Sequence, residues 1–181
     1  MLKQAFATHP MLPPNTPIHT TEGMLKRMID TFRTEKAYLF GIRKERTLAC
    51  VSFSVDPHHE TRTLTIFWFF FRLLRIAGCR LTKDFFRAFS KRPKYKDSYL
   101  ELILLGTLPA FHGQGLGRMM LQFLYEFAKE RGYHGIILDA AKDTPAYLFY
   151  LREGFVVDKE VSVGTIRLCN TRRVNRRYFN P

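Results

Sequence analysis

The apolar positions along the chain change period several times, and each change marks an element. Met24, Leu25, Met28, Ile29 and Phe32 recur at helical spacing behind Thr20 and Thr21, hydroxyl residues suited to capping a helix start. Two denser runs follow, 37–42 and 48–55, separated by the polar Arg43-Lys-Glu-Arg. This predicts an antiparallel hairpin. Residues 64–71 are largely apolar, and over that length the period does not separate helix from strand. The longer stretch 64–77 ends at Gly78, and Thr82 opens a segment to about Lys91 with Phe85, Phe86 and Phe89 on one side. A helical insertion at about 64–92 is therefore expected.

Residues 100–105 are apolar except for Glu101 and read as a strand. Leu116, Met120, Phe123, Leu124 and Phe127 then predict the buried stripe of a helix ending at Gly132. Ile136 to Ala140 reads as the next, parallel strand, and a helix from about Thr144 to Arg152 stops at Gly154. Residues 155–163 and 165–170 form a closing hairpin around Gly164. No first strand is evident in residues 1–20, and there is no internal repeat or low-complexity segment.

At 181 residues and 46% hydrophobic, the expectation is one domain with a sizeable core. Residues 1–15 have no apolar stretch of signal-peptide length, and 64–71 is far too short to span a bilayer. Cys50, Cys79 and Cys169 stand apart, so neither a disulfide framework nor a zinc site is expected. Adjacent residues on a turn, as in His58-His59-Glu60, do not readily converge on one ion, and no metal is expected. A cytoplasmic protein fits these features. The net charge of +13 is concentrated: residues 72–96 hold nine Lys/Arg against Asp84, and 171–181 form a basic tail with Arg172, Arg173, Arg176 and Arg177. Such a field concentrates anionic ligands. It keeps a nucleic acid or an anionic membrane surface as an alternative partner.

Chemistry enters at His112-Gly113-Gln114-Gly115-Leu116-Gly117, which lies between the strand at 100–105 and the helix behind it. Glycines allow close backbone approach, and a helix N-terminus attracts anions, so phosphate is the first ligand expected. No Gly-Lys-Ser/Thr follows, which excludes a Walker loop, and G-x-G-x-G departs from the dinucleotide fingerprint. A turn that merely needs positive φ remains the simpler alternative for the loop alone.

The second segment, Asp139 to Phe155, contains Ala146, Tyr150, Gly154 and Phe155 in the spacing Ala-x-x-x-Tyr-x-x-x-Gly-Phe. Together with Leu105-Gly106-Thr107, Pro109, Gly115 and Gly117, it resembles the GNAT superfamily of N-acetyltransferases over residues 98–163. Two positions depart from that family: His112 replaces the usual Arg or Gln, and Asp143 replaces the usual Asn.

The resemblance implies an α/β (α+β) GNAT fold: a central mixed, mostly antiparallel twisted sheet, flanked by helices, with a parallel pair splayed at the cofactor cleft. It implies acetyl-CoA as donor and a primary amine as acceptor. Leu105, Gly106 and Thr107 would bind the pantetheine arm through backbone groups, and His112, Gly113, Gln114, Gly115, Leu116, Gly117 and Arg118 would hold the pyrophosphate. Asp143 would keep a cofactor contact, though it places a carboxylate near an anion. Tyr150 takes the position of the acid that protonates the departing thiolate. Glu101 takes the position of the general base, with Asp139 or a water as the alternative, because a carboxyl among leucines titrates nearer neutrality. A CoA-binding regulatory module with little catalysis is the rival reading, and a dimer is compatible with either.

Overall fold

The computed structural model describes residues 37–56, 83, 86, 90, 91, 93, 95, 98–163 and 166–174. The helix expected before residue 33, the turn at His58-His59-Glu60, most of the insertion and the last seven residues lie outside the described residues. Within the insertion, Lys83, Phe86 and Ser90 are helical, and the Ser90 hydroxyl donates to the Phe86 carbonyl one turn earlier at 2.8 Å.

Among the described residues, six strands form one sheet in the order β1-β2-β3-β4-β6-β5: β1 (Ala37–Lys44), β2 (Thr47–Val55), β3 (Leu100–Thr107), β4 (Gly135–Ala141), β5 (Val156–Val163) and β6 (Ile166–Val174). Every neighbouring pair is antiparallel except β3 and β4. This is the mixed sheet with one parallel pair that the motifs implied. Between the parallel strands the chain crosses through helix α1 (Leu116–Glu130), and helix α2 (Pro145–Arg152) leads into the β5–β6 hairpin.

A bulge decides which side chains of β3 meet α1. Leu102 pairs with Ser54 and Leu104 with Phe53, so Ile103 is the extra residue, and the period-2 alternation restarts after it. Leu100, Leu102 and the partly buried Leu105 consequently pack into the core against Met120, Leu121 and Leu124, whereas Leu104 is buried but lies outside that cluster. Glu101, between Leu100 and Leu102, belongs to the opposite face.

The stripe of α1 differs from the one the sequence suggested. Its buried residues are Leu116, Met120, Leu121, Leu124 and Ala128, while Phe123 remains 47% exposed. Phe123 and Phe127 instead form an aromatic seam with β1, with Phe40 in edge contact with both rings at centroid distances of 4.8 and 5.0 Å. Arg131 lies over the Phe127 ring at 5.1 Å, a cation–π contact that closes the seam. The amphipathic period identified the helix, but neighbouring aromatics on β1 redistributed its faces.

The strand β6 also runs further than expected. Residues 171–174 pair with β4, so Arg172 and Arg173 belong to the sheet rather than to a tail. Arg172 pairs with Asp158 on β5 at 2.9 Å, and Arg173 covers the Tyr125 ring at 4.6 Å.

Candidate active site

The parallel pair touches at only two rungs, Leu100 with Ile136 and Glu101 with Ile137. On their outer sides the same strands stay paired to their ends, β3 with β2 as far as Thr107 and β4 with β6 as far as Ala141. The sheet therefore splits between 102–107 and 138–141. Among the described residues, each facing edge presents backbone polar groups without a ladder partner, which an extended ligand can satisfy as an added strand would.

Beyond the split, the chain turns through Pro109–Phe111, and Gly113 and Gly115 both adopt φ of 75°. That conformation strains residues bearing a Cβ. Among the described residues no side chain caps α1, whose N-cap is Gly115 and whose first helical bond runs from Met119 N–H to the Gly115 carbonyl at 3.0 Å. The amides of Leu116, Gly117 and Arg118 are thus left without intrahelical acceptors. Among the described residues, a Cβ built on Gly113 or Gly115 would meet nothing within 4 Å. Open space beside uncapped amides at a helix N-terminus suits an anion. Gly117 acts through packing instead. A Cβ there would lie 3.4 Å from the Phe149 ring, an ordinary contact distance, so this glycine lies against α2.

The charged and polar loop residues are engaged in specific ways. Nε2 of His112 lies 2.9 Å from the Thr107 carbonyl oxygen, tying the loop to the end of β3. Gln114 Nε2 donates to the Ala110 carbonyl at 3.4 Å. Arg118 donates to Glu153 at 2.8 Å, so its guanidinium faces α2. Asp143 has a positive φ of 64°, a conformation Asp and Asn tolerate better than most residues, and Arg167 on β6 bonds its carboxylate at 3.1 Å. A carboxylate that is out of place near an anion by sequence is therefore matched by a cation that only the fold brings to it.

Tyr150 comes to the split from α2. Thr144 caps that helix, its hydroxyl accepting from Tyr147 N–H at 3.2 Å, and Pro145 suits the first helical position. Tyr150 is buried in the α1-side core and packs edge-on against Phe155 at 5.5 Å. Burial raises its hydroxyl above the ordinary phenol pKa, and the neighbouring Cys50 thiol adds to the shift. Cys50, fully buried on β2, pairs with Thr107 and accepts a hydrogen bond from its hydroxyl at 3.4 Å. Nothing in the spacing of the three cysteines distinguished Cys50; only the β2–β3 register brings it to the end of the split.

Glu101 occupies the last rung before β3 and β4 part, half-buried on the face opposite the Tyr150 side. Asp139 lies two residues further along β4, where it accepts from the Asn170 amide of β6. The two candidate carboxylates share one face, and Tyr150 approaches the split from the other.

Comparison with known proteins agrees with this geometry. The model of the acetyltransferase (GNAT) family matches residues 7–155, while comparison with curated proteins finds no match. Among solved structures, arylalkylamine N-acetyltransferase 2 from Aedes aegypti superposes with a TM-score of 0.69 at 17% identity, covering 96% of this chain and 90% of that one. An acetyltransferase from Corynebacterium glutamicum, described as histone acetyltransferase HPA2 and related, gives 0.61 at 20% identity, with 96% and 87% covered. The ribosomal-protein-S18-alanine N-acetyltransferase of Escherichia coli gives 0.54 at 13% identity, with 95% and 84% covered. With the family model spanning most of its length and a sheet split beside a glycine loop, the chain belongs to the GNAT family of acetyltransferases.

Proposed function

We propose that the protein transfers the acetyl group of acetyl-CoA directly to the primary amine of a small molecule or peptide, within one domain whose CoA-binding core is 98–163. The observation that carries this reading is the conjunction at one end of the sheet of three features: the β3–β4 split, the uncapped amides behind Gly113 and Gly115, and the buried Tyr150 hydroxyl. The proteins that share the fold are named for acceptors as different as arylalkylamines and a ribosomal-protein alanine, which supports an amine without choosing its size.

Acetyl-CoA supplies an activated acyl carbon and a thiolate leaving group. In our reading, the Leu105, Gly106 and Thr107 backbone holds the pantetheine arm, and the amides from Gly113 to Arg118 take the pyrophosphate. His112 positions the loop through the Thr107 carbonyl. Arg118 and Asp143, engaged with Glu153 and Arg167, shape the rim rather than bind charge directly. The acceptor amine must lose a proton to attack. At neutral pH an alkylammonium with pKa near 10.4 costs about 4.6 kcal/mol to deprotonate. Glu101 takes that proton; Asp139, held by Asn170, is the second candidate. As the C–N bond forms and the C–S bond breaks, Tyr150 donates to the departing sulfur. Its raised pKa keeps the phenol protonated throughout the working range, so it acts first as a hydrogen-bond donor and only then as a proton source.

Calorimetric titration with acetyl-CoA followed by a thiol-release assay across amines tests the reading. Micromolar binding with release against at least one amine is expected. Tyr150→Phe should lower turnover at least tenfold while acetyl-CoA still binds within about twofold. Binding without release against any amine would instead mark a CoA-binding module, and full turnover by the variant would remove Tyr150 from the chemistry.

A further inference from the structure

We propose that Lys44, at the tip of the β1–β2 hairpin, is a pyrophosphate-binding residue of the CoA site; the inference rests on the acetyl-CoA reading above. The sheet register brings the tip to the glycine loop. β2 runs antiparallel to β3, with Cys50 opposite Thr107, so the residues just before Cys50 reach past the end of β3, where the loop begins. The bulge between Ile42 and Arg43 and the positive φ of Glu45 turn the tip. Lys44 Nζ thereby reaches Gln114 and donates to its Oε1 at 2.6 Å. Gln114 is the residue between the two glycines of positive φ.

The partner is what makes this contact informative. Gln114 is neutral, and among the described residues Lys44 forms no ion pair. Arg118, Arg167 and Lys142, cations that follow β3 and β4 or pair beside their ends, each face a carboxylate instead. A diphosphate resting on the amides behind Gly113 and Gly115 would lie beside Lys44. It offers the ammonium a charged acceptor in place of an amide oxygen, an exchange that strengthens the hydrogen bond. The pattern also accounts for a lysine here rather than an arginine, because a compact charge on a flexible stem can leave Gln114 for a phosphate oxygen without rebuilding a planar contact. The hairpin would then form the wall of the phosphate site opposite α1.

Calorimetry on the full chain with CoA, 3′-dephospho-CoA and pantetheine tests this. Lys44→Met should weaken CoA and 3′-dephospho-CoA alike, by about five- to tenfold. Pantetheine, which lacks the diphosphate, should be unaffected, and Lys44→Arg should recover most of the loss. The slope of log Kd for CoA against log salt concentration should also become shallower in Lys44→Met. Equal weakening of all three ligands would mean a structural role, and a loss confined to CoA would assign Lys44 to the 3′-phosphate; either outcome, or unchanged CoA affinity, overturns the proposal. Failure of the unsubstituted protein to bind CoA would overturn the acetyl-CoA reading and the Lys44 inference with it, a result distinct from the other three.

Discussion

A tyrosine buried against Phe149 and Phe155 would pass for a core residue by packing alone; its hydroxyl beside Cys50 makes it a candidate for chemistry. Folding raises the pKa of Tyr150, so between the ordinary phenol value and the raised one the folded protein keeps a proton that the unfolded chain has lost. Stability therefore falls as pH rises above about 10, by up to about 1.4 kcal/mol per pH unit from this group, and is unaffected by it below. In urea titrations from about pH 9 to 11.5, Tyr150→Phe should show a shallower decline than the parent. Parallel curves would mean that the phenol ionises as freely folded as unfolded. Glu101→Gln, at the rung where the strands part, should reduce kcat/KM about 100-fold or more at pH 7. The defect should shrink as pH approaches the amine's own pKa, since the acceptor then deprotonates unaided; a deficit constant across pH would argue against a base. Asp143 and His112, the two departures from the family pattern, both have local structural explanations: positive φ with Arg167 for one, the Thr107 carbonyl for the other.

Among the elements, β4 shows how closely the sheet is built. A Cβ on Gly135 would lie 2.1 Å from the Arg173 carbonyl oxygen on β6, and backbone so placed cannot yield without breaking the β4–β6 ladder. Gly135→Ala should cost about 3 kcal/mol or more, read as a drop in denaturation midpoint; an unchanged midpoint would mean that β6 can shift away freely. The elements around the site are largely legible from pattern: the β1–β2 and β5–β6 hairpins, the strand before the loop, the helix after it and the helix bearing Tyr150 all form where the period and the caps indicate. The two departures share one cause. Hydrophobic spacing puts Phe123 in the buried stripe of α1 because it counts apolar residues without regard to what they face, and Phe40 on β1 draws the ring to the rim. The end of β6 reads as tail because two arginines look solvated, whereas Asp158 and the Tyr125 ring partner them. Partners distant in sequence leave no local trace.

For the molecule as a whole, the charge of +13 should draw a polyanionic donor toward the protein. Long-range attraction between exposed charges is screened over roughly 8–10 Å at ordinary ionic strength. The Kd for CoA should therefore rise about three- to tenfold between about 50 and 300 mM salt, and an affinity indifferent to salt would limit binding to the fixed amides of α1. Among the described residues, no helix is long and apolar enough to cross a membrane. The sequence by itself determined the family and the elements that frame the candidate donor site, because a glycine loop before a helix and the Tyr150 motif after the next strand are local patterns that depend on backbone conformation and spacing. Only the tertiary structure decided which residues meet there. The two-rung contact of β3 with β4, the Ile103 bulge that returns Leu105 to the core side of β3, and the hairpin register that carries Cys50 and Lys44 to the end of the split all arise from pairing between distant segments. Such pairing is set by the packing of whole faces, and no short stretch of chain encodes it.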